Sequence, residues 1–244
     1  MKNNINFTIM DGFTYDNLFA TKGIEYIIII AFLLLIIPFW VLLNKPLAVN
    51  KKLRSALSTL SASILRIPQG IFFSNNHTWA HMQKSGDARI GLDDLLLHLT
   101  GPVKLTMIRG AGATVSKGEV VSEICHDGRR LIIASPVSGE IVAVNHIAEN
   151  DPSILNSDPY GKGWIYSIRP SAWIAETGSF HLASEANTWF KKELERFRDF
   201  VARSASRYTP EVQPVLQDGG ELLDNPLAAM PAEVWDDFQK EFLK

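Results

Sequence analysis

Between residues 120 and 164 short aliphatic runs alternate with turns rich in glycine, proline, asparagine and aspartate. This spacing constrains the fold more than any other feature, because runs of five or six β-favouring residues broken by such turns leave no room for long helices. The clearest turn is Asp127-Gly128, set between Val120-Val121-Ser122-Glu123-Ile124-Cys125 and Leu131-Ile132-Ile133. Both residues reach positive φ at low cost, so the segment is expected to be a tight β-hairpin with Asp127, Gly128, Arg129 and Arg130 at its tip.

The same reading extends to either side. Residues 71–73, 78–82 and 88–91 form short strands broken by Asn75-Asn76 and Ser85-Gly86-Asp87. Residues 92–101 form a short helix, with Asp93-Asp94 serving its start and Gly101-Pro102 its end. Further strands fall at 103–108, 140–145 and 164–168. Many short strands around glycine-bearing turns predict a mainly β domain, a small barrel or sandwich, over residues 71–173.

Composition bears on what surrounds that domain. With 24 basic and 26 acidic residues, nucleic acid is not an expected partner. The lone Cys125 excludes an internal disulfide, and no zinc ribbon or iron–sulfur centre can be assembled. Residues 26–43 carry no charge at all. As a helix they would cover about 27 Å, close to the ~30 Å hydrocarbon core of a bilayer. A single transmembrane helix is therefore expected over 24–44, following an N-terminal tail at 1–23. Lys45, Lys51, Lys52 and Arg54 follow the run, while only Lys2 and Lys22 precede it. That asymmetry places the tail outside and the C-terminal domain in the cytoplasm, at the inner membrane.

Residues 45–70 read as a juxtamembrane linker. Leu53, Leu57, Leu60 and Ile64 share one face of an amphipathic helix over 51–66, which suits either the leaflet surface or a packed connector. Residues 174–244 form a helical tail. Phe190, Leu194, Phe197 and Val201 make one apolar stripe flanked by Trp189 and Phe200, with Glu193 among the charges of the opposite surface. A second helix begins at Pro231 and carries Trp235, Phe238 and Phe242. These helices fit two roles, covering the β domain or presenting Trp189, Phe190, Phe197, Trp235, Phe238 and Phe242 to another subunit.

Several motifs share one order and spacing. They are His77-Thr78-Trp79, Ile90-Gly91-Leu92-Asp93-Asp94, Leu99-Thr100-Gly101, Val115-Ser116-Lys117-Gly118-Glu119, Ser135-Pro136-Val137-Ser138-Gly139-Glu140, and Asp158-Pro159-Tyr160-Gly161-Lys162-Gly163-Trp164. Together they resemble the glycine-cleavage H protein, and the resemblance covers residues 71–173. It implies a lipoyl-type barrel-sandwich fold and, in the family, lipoate carried on a lysine at the hairpin tip, seven positions before the Ser-Pro. Here that position is Gly128, and no lysine occurs between Lys117 and Lys162. Arginine cannot replace the amine, because guanidinium stays protonated and delocalised.

The expectation is therefore a non-enzymatic, membrane-anchored docking subunit of a bacterial membrane complex, with no cofactor. Its partners would be the lipid bilayer and other subunits. The alternative is a lipoyl carrier that shuttles an aminomethyl or acyl group. Arg129 and Arg130 suit either an ordinary solvated turn or bidentate contacts to a partner's carboxylates. His77 and His81 have zinc spacing only on a helix and flank a strand here, so no metal is expected. Cys125 and His126 are neighbours on a strand and point to opposite faces, which does not suit a nucleophile–base pair.

Overall fold

The computed structural model describes residues 18–44, 59–208 and 222–244. The chain divides into two compact units, residues 1–52 and 53–244. In the first, helix α1 spans Leu18–Asn44 with Pro38 inside it. Its side chains are described from Tyr26 to Trp40, and the large apolar ones are all strongly exposed, Leu35 at 71 %. Among the described residues no helix is long and apolar enough to cross a membrane, so the spanning helix expected over 24–44 is not found there.

The second unit is mainly β and antiparallel. Its strands are β1 (Thr59–Leu60), β2 (Phe72–Phe73), β3 (Thr78–Met82), β4 (Ala88–Leu92), β5 (Lys104–Met107), β6 (Thr114–Val115), β7 (Val120–His126), β8 (Arg129–Ala134), β9 (Gly139–Val144), β10 (Trp164–Pro170) and β11 (Leu222–Leu223). They form a six-stranded sheet in the order β2-β3-β4-β10-β9-β6, a three-stranded sheet β5-β7-β8, and the pair β1-β11. Short helices α2 (Asp94–Thr100), α3 (His146–Asn150), α4 (Ser153–Ser157) and α5 (Trp173–Thr177) connect them. Two longer helices follow, α6 (Ala183–Tyr208) and α7 (Ala232–Phe242).

The expected β domain and short helix are present. The first half of the juxtamembrane helix, residues 51–58, lies outside the described residues, as does the stretch 209–221. Residues 59–66 are not helical. Thr59 and Leu60 pair with Leu223 and Leu222, and turns follow to Arg66. The buried Leu60 supplies the reason, because pairing with β11 places it in the core, whereas on a helix it would share a stripe with Ile64, which is exposed.

Local chemistry sets the frame. Trp79 faces Gly91 across β3 and β4, and a Cβ on Gly91 would lie 2.7 Å from the indole ring. Asp93 caps α2, its carboxylate accepting from Leu96 N–H at 2.7 Å and from the His77 ring at 2.8 Å. The Asp158 carboxylate accepts from the backbone N–H groups of Gly161 and Lys162, and Asn145 donates to the carbonyls of Lys162 and Trp164. These bonds shape the Asp-Pro-Tyr-Gly-Lys-Gly-Trp loop so that the Tyr160 hydroxyl reaches Asp94 N–H at 3.0 Å. Burial, together with the Asp93 charge, pushes the Tyr160 phenol far up, so it stays neutral across physiological pH.

Candidate functional site

The hairpin forms as expected. His126 pairs with Arg129 at the end of the β7–β8 ladder, and Asp127 (φ 47°) and Gly128 (φ 83°) supply the two positive φ angles of a type I′ turn. Gly128 occupies the position before the Ser-Pro that the resemblance singles out. It presents no side chain, and among the described residues nothing lies within 4 Å of a Cβ built there. The tip is open and has no amine of its own.

Beside the tip lies a groove of about 570 Å³ whose lining includes Pro102, Lys104, Cys125, His126 and Asp151. Lys104 faces Cys125 directly across the β5–β7 ladder. It is the one lysine in the three-stranded sheet.

The two tip arginines separate in role. The Arg130 side chain is 69 % exposed, 3.7 Å from Glu123, which matches a solvated surface pair. Arg129 is turned inward instead. Its Nη1 donates to the carbonyls of Ala228 and Met230 at 2.8 and 2.5 Å, and its guanidinium lies 5.4 Å from the Trp235 ring centroid. Arg129 therefore holds this chain's own tail and is not free for an outside carboxylate. The turn from Asn225 (φ 62°) into the 3₁₀ helix Pro226–Ala229 aims those carbonyls at the hairpin, a placement the sequence around Pro226 did not reveal.

The tail covers the hairpin at further points. Gln239 on α7 accepts from Ile132 N–H at 2.6 Å and donates to Ile132 C=O at 3.2 Å, so one side-chain amide pairs with the outer edge of β8, the end strand of its sheet among the described residues. Trp235 stacks on His126 with ring centroids 6.1 Å apart and donates its indole N–H to Leu227 C=O at 2.9 Å. At the other end His98 on α2 meets Asp224 at 2.7 Å, and Asn225 N–H donates to His98 C=O.

The six aromatics weighed as anchors for another subunit are consumed in the same way. Phe190, Phe197 and Phe238 are fully buried, and Trp189, Trp235 and Phe242 nearly so. Phe238 stacks on Phe242 at 4.8 Å, and Phe197 meets both edge-on. The stripes of α6 and α7 bury against each other and against the β domain because both are apolar at matching spacing. Glu193, expected on the exposed polar surface, is also buried and lies 3.8 Å from His77 Nε2.

Arg129→Ala is expected to lower stability by about 1–3 kcal/mol, because it strips charged donors from two carbonyls and a cation from Trp235. Arg130→Ala should stay within about 0.5 kcal/mol of the native chain. Urea unfolding midpoints of the two variants would show the contrast, and equal midpoints would refute the inward role of Arg129.

Comparison with known proteins follows the same outline. The family profile described as Glycine cleavage H-protein matches residues 71–193. The glycine cleavage system H protein of Psychrobacter cryohalolentis is 31% identical over 104 residues, which is 43% of this chain and 82% of that protein. That of Thermus thermophilus is 35% identical over 104 residues, covering 43% of this chain and 80% of the relative. A crystal structure of a glycine cleavage system H protein from Mycobacterium marinum aligns with 51% of this chain and 98% of that one, at 29% identity and a TM-score of 0.45. Residues 222–244, which cover the hairpin, lie beyond the matched segment. With half of its length matched by the profile and most of each relative covered, this chain belongs to the glycine cleavage H-protein family.

Proposed function

We propose that this chain is a non-catalytic member of the family that bears no lipoyl group and serves as a membrane-attached docking subunit of a larger complex. The observation that carries the reading is the hairpin tip, where Asp127-Gly128 offers no primary amine at the position the family uses for attachment. Acylation requires a neutral amine as nucleophile, and neither Arg129 nor Arg130 supplies one. The tail adds support, since α7 and the turn before it occupy the face beside the tip.

Membrane attachment rests on the uncharged stretch 26–43 and on the exposed apolar side chains of α1. Removing such a surface from water contributes about 25 cal/mol per Å². The lysine-rich flank after the run argues for a cytoplasmic β domain. A single experiment addresses both attachment and assembly: wash membranes at alkaline pH, extract with detergent, and identify what migrates with the chain on size exclusion. Retention in the washed membrane with stable partners is the expected result. Release by the wash, or a clean monomer after extraction, would contradict the reading.

Family membership favours a second reading, a lipoyl carrier of glycine-cleavage type. Within the three-stranded sheet that reading would have to use Lys104, whose register opposite Cys125 brings it close to the tip. Peptide mapping for a lipoyl adduct on Lys104 separates the two.

A further inference from the structure

Two buried or half-buried histidines fasten the C-terminal segments to the same short helix, and neither is explained by the hairpin chemistry. His77 has no exposed surface and donates from Nδ1 to Asp93 at 2.8 Å. Among the described residues its Nε2 has no hydrogen-bond partner, and it points toward Glu193 of α6 at 3.8 Å. Trp189 of α6 and Phe242 of α7 lie against the ring at centroid distances of 5.3 and 6.2 Å. Arg196 pairs with Glu193 at 3.1 Å, and its charge also acts on His77.

His98 repeats the arrangement one turn further along α2. Its Nδ1 meets Asp224 of the tail at 2.7 Å, and its Nε2 lies 3.6 Å from Asp94. Arg66 approaches Asp94 from the other side at 3.2 Å. Four carboxylates, those of Asp93, Asp94, Glu193 and Asp224, thus converge on α2 from three segments of the chain. Two arginines and two imidazoles are their counter-charges.

We propose that these two histidine–carboxylate clusters form a pH-sensitive latch, which holds α6, α7 and the turn at 224–230 against α2 and thereby keeps the hairpin covered. This inference is independent of whether the chain is lipoylated. When both rings are protonated, each joins an acid on α2 to an acid on the tail. When they lose their protons, Arg66 and Arg196 are the cations left, among the described residues, to face four carboxylates, and like charges in a poorly hydrated seam repel.

The protonation balance agrees with that geometry. Burial alone would lower the His77 pKa, but the charge and hydrogen bond of Asp93 and the charge of Glu193 outweigh it and the opposing Arg196, so it lies above the usual histidine value. Burial likewise lowers His98, while the hydrogen bond and charge of Asp224 and the charge of Asp94 raise it further than Arg66 and burial reduce it. A raised folded-state value stabilises the docked tail fully below the unfolded pKa of about 6.5, and that stabilisation is lost as pH rises through the folded value.

Hydrogen exchange of the full chain in detergent, at about pH 6 and about pH 9 on either side of the ordinary histidine range, tests the latch once intrinsic exchange rates are corrected for pH. Protection of α7 and β8 should fall on the order of tenfold at the higher pH, as the charge-assisted hydrogen bonds across the seam are lost, while β4 and β10 keep theirs. Asp224→Asn and Glu193→Gln, each removing one tail carboxylate, should flatten the dependence, and His98→Gln should do the same. Unchanged protection of α7, a loss spread equally over β4 and β10, or full pH dependence in folded Asp224→Asn and His98→Gln would overturn the proposal.

Discussion

Replacing Trp235 with alanine is expected to destabilise the protein by about 3–5 kcal/mol, the range for removing a buried aromatic from a packed core. The side chain is 1 % exposed and lies where the tail meets the hairpin. Truncation would open a cavity, leave Leu227 C=O without its indole donor, and remove the ring from beside Arg129 and His126. Trp235→Phe keeps most of the apolar area and loses the N–H, so it should cost about 1–2 kcal/mol. Denaturant unfolding of the full chain in detergent, followed by hydrogen exchange of β8, would measure both effects. An alanine variant as stable as the native chain, with β8 still protected, would mean that the tail does not rest on the hairpin through this residue.

The second large effect is expected at Gly139. This residue pairs with Val115 of β6 on one side and Pro170 of β10 on the other. A Cβ there would run into the carbonyl oxygen of Arg169 and come within 2.8 Å of Ile168 Cγ2. The obstacle is backbone held in a sheet, which cannot swing aside as a side-chain end can. Gly139→Ala should therefore cost about 3 kcal/mol or more, at the upper end of overpacking effects. Gly128→Ala meets open space and only the strain of a positive φ, about 1–2 kcal/mol. Thermal or urea unfolding of the pair would show the ranking, and a mild effect at Gly139 would contradict the close approach of β9 and β10.

The contrast between these glycines explains what could be read from the chain alone. Gly128 announces itself through its Asp neighbour and the aliphatic runs around it, so the hairpin was legible from local chemistry. The cap at Asp93, the strands at 78–82 and 164–168, and both long tail helices were legible for the same reason, since each follows from turn residues or periodicity within a few positions. The strand β1 was not. Leu60 sits in a helical spacing, and only pairing with Leu222, far along the chain, makes it a strand. The burial of Glu193 and the inward turn of Arg129 were hidden in the same way, because each depends on a partner more than 90 residues away: His77 for one, Ala228 and Met230 for the other. The aromatic stripe of the tail was visible in sequence, but its choice between covering the β domain and meeting another subunit is a tertiary matter. In the folded chain all six side chains are buried.

The central claim is that the hairpin keeps its shape without an amine to modify. Its most direct test is the intact mass of the full chain after co-expression with a lipoyl-attaching enzyme and lipoate, beside a Gly128→Lys variant. The open space at Gly128 admits the new side chain. The native chain should keep its unmodified mass while the variant gains one lipoyl group. A lipoyl adduct on the native chain would contradict the account.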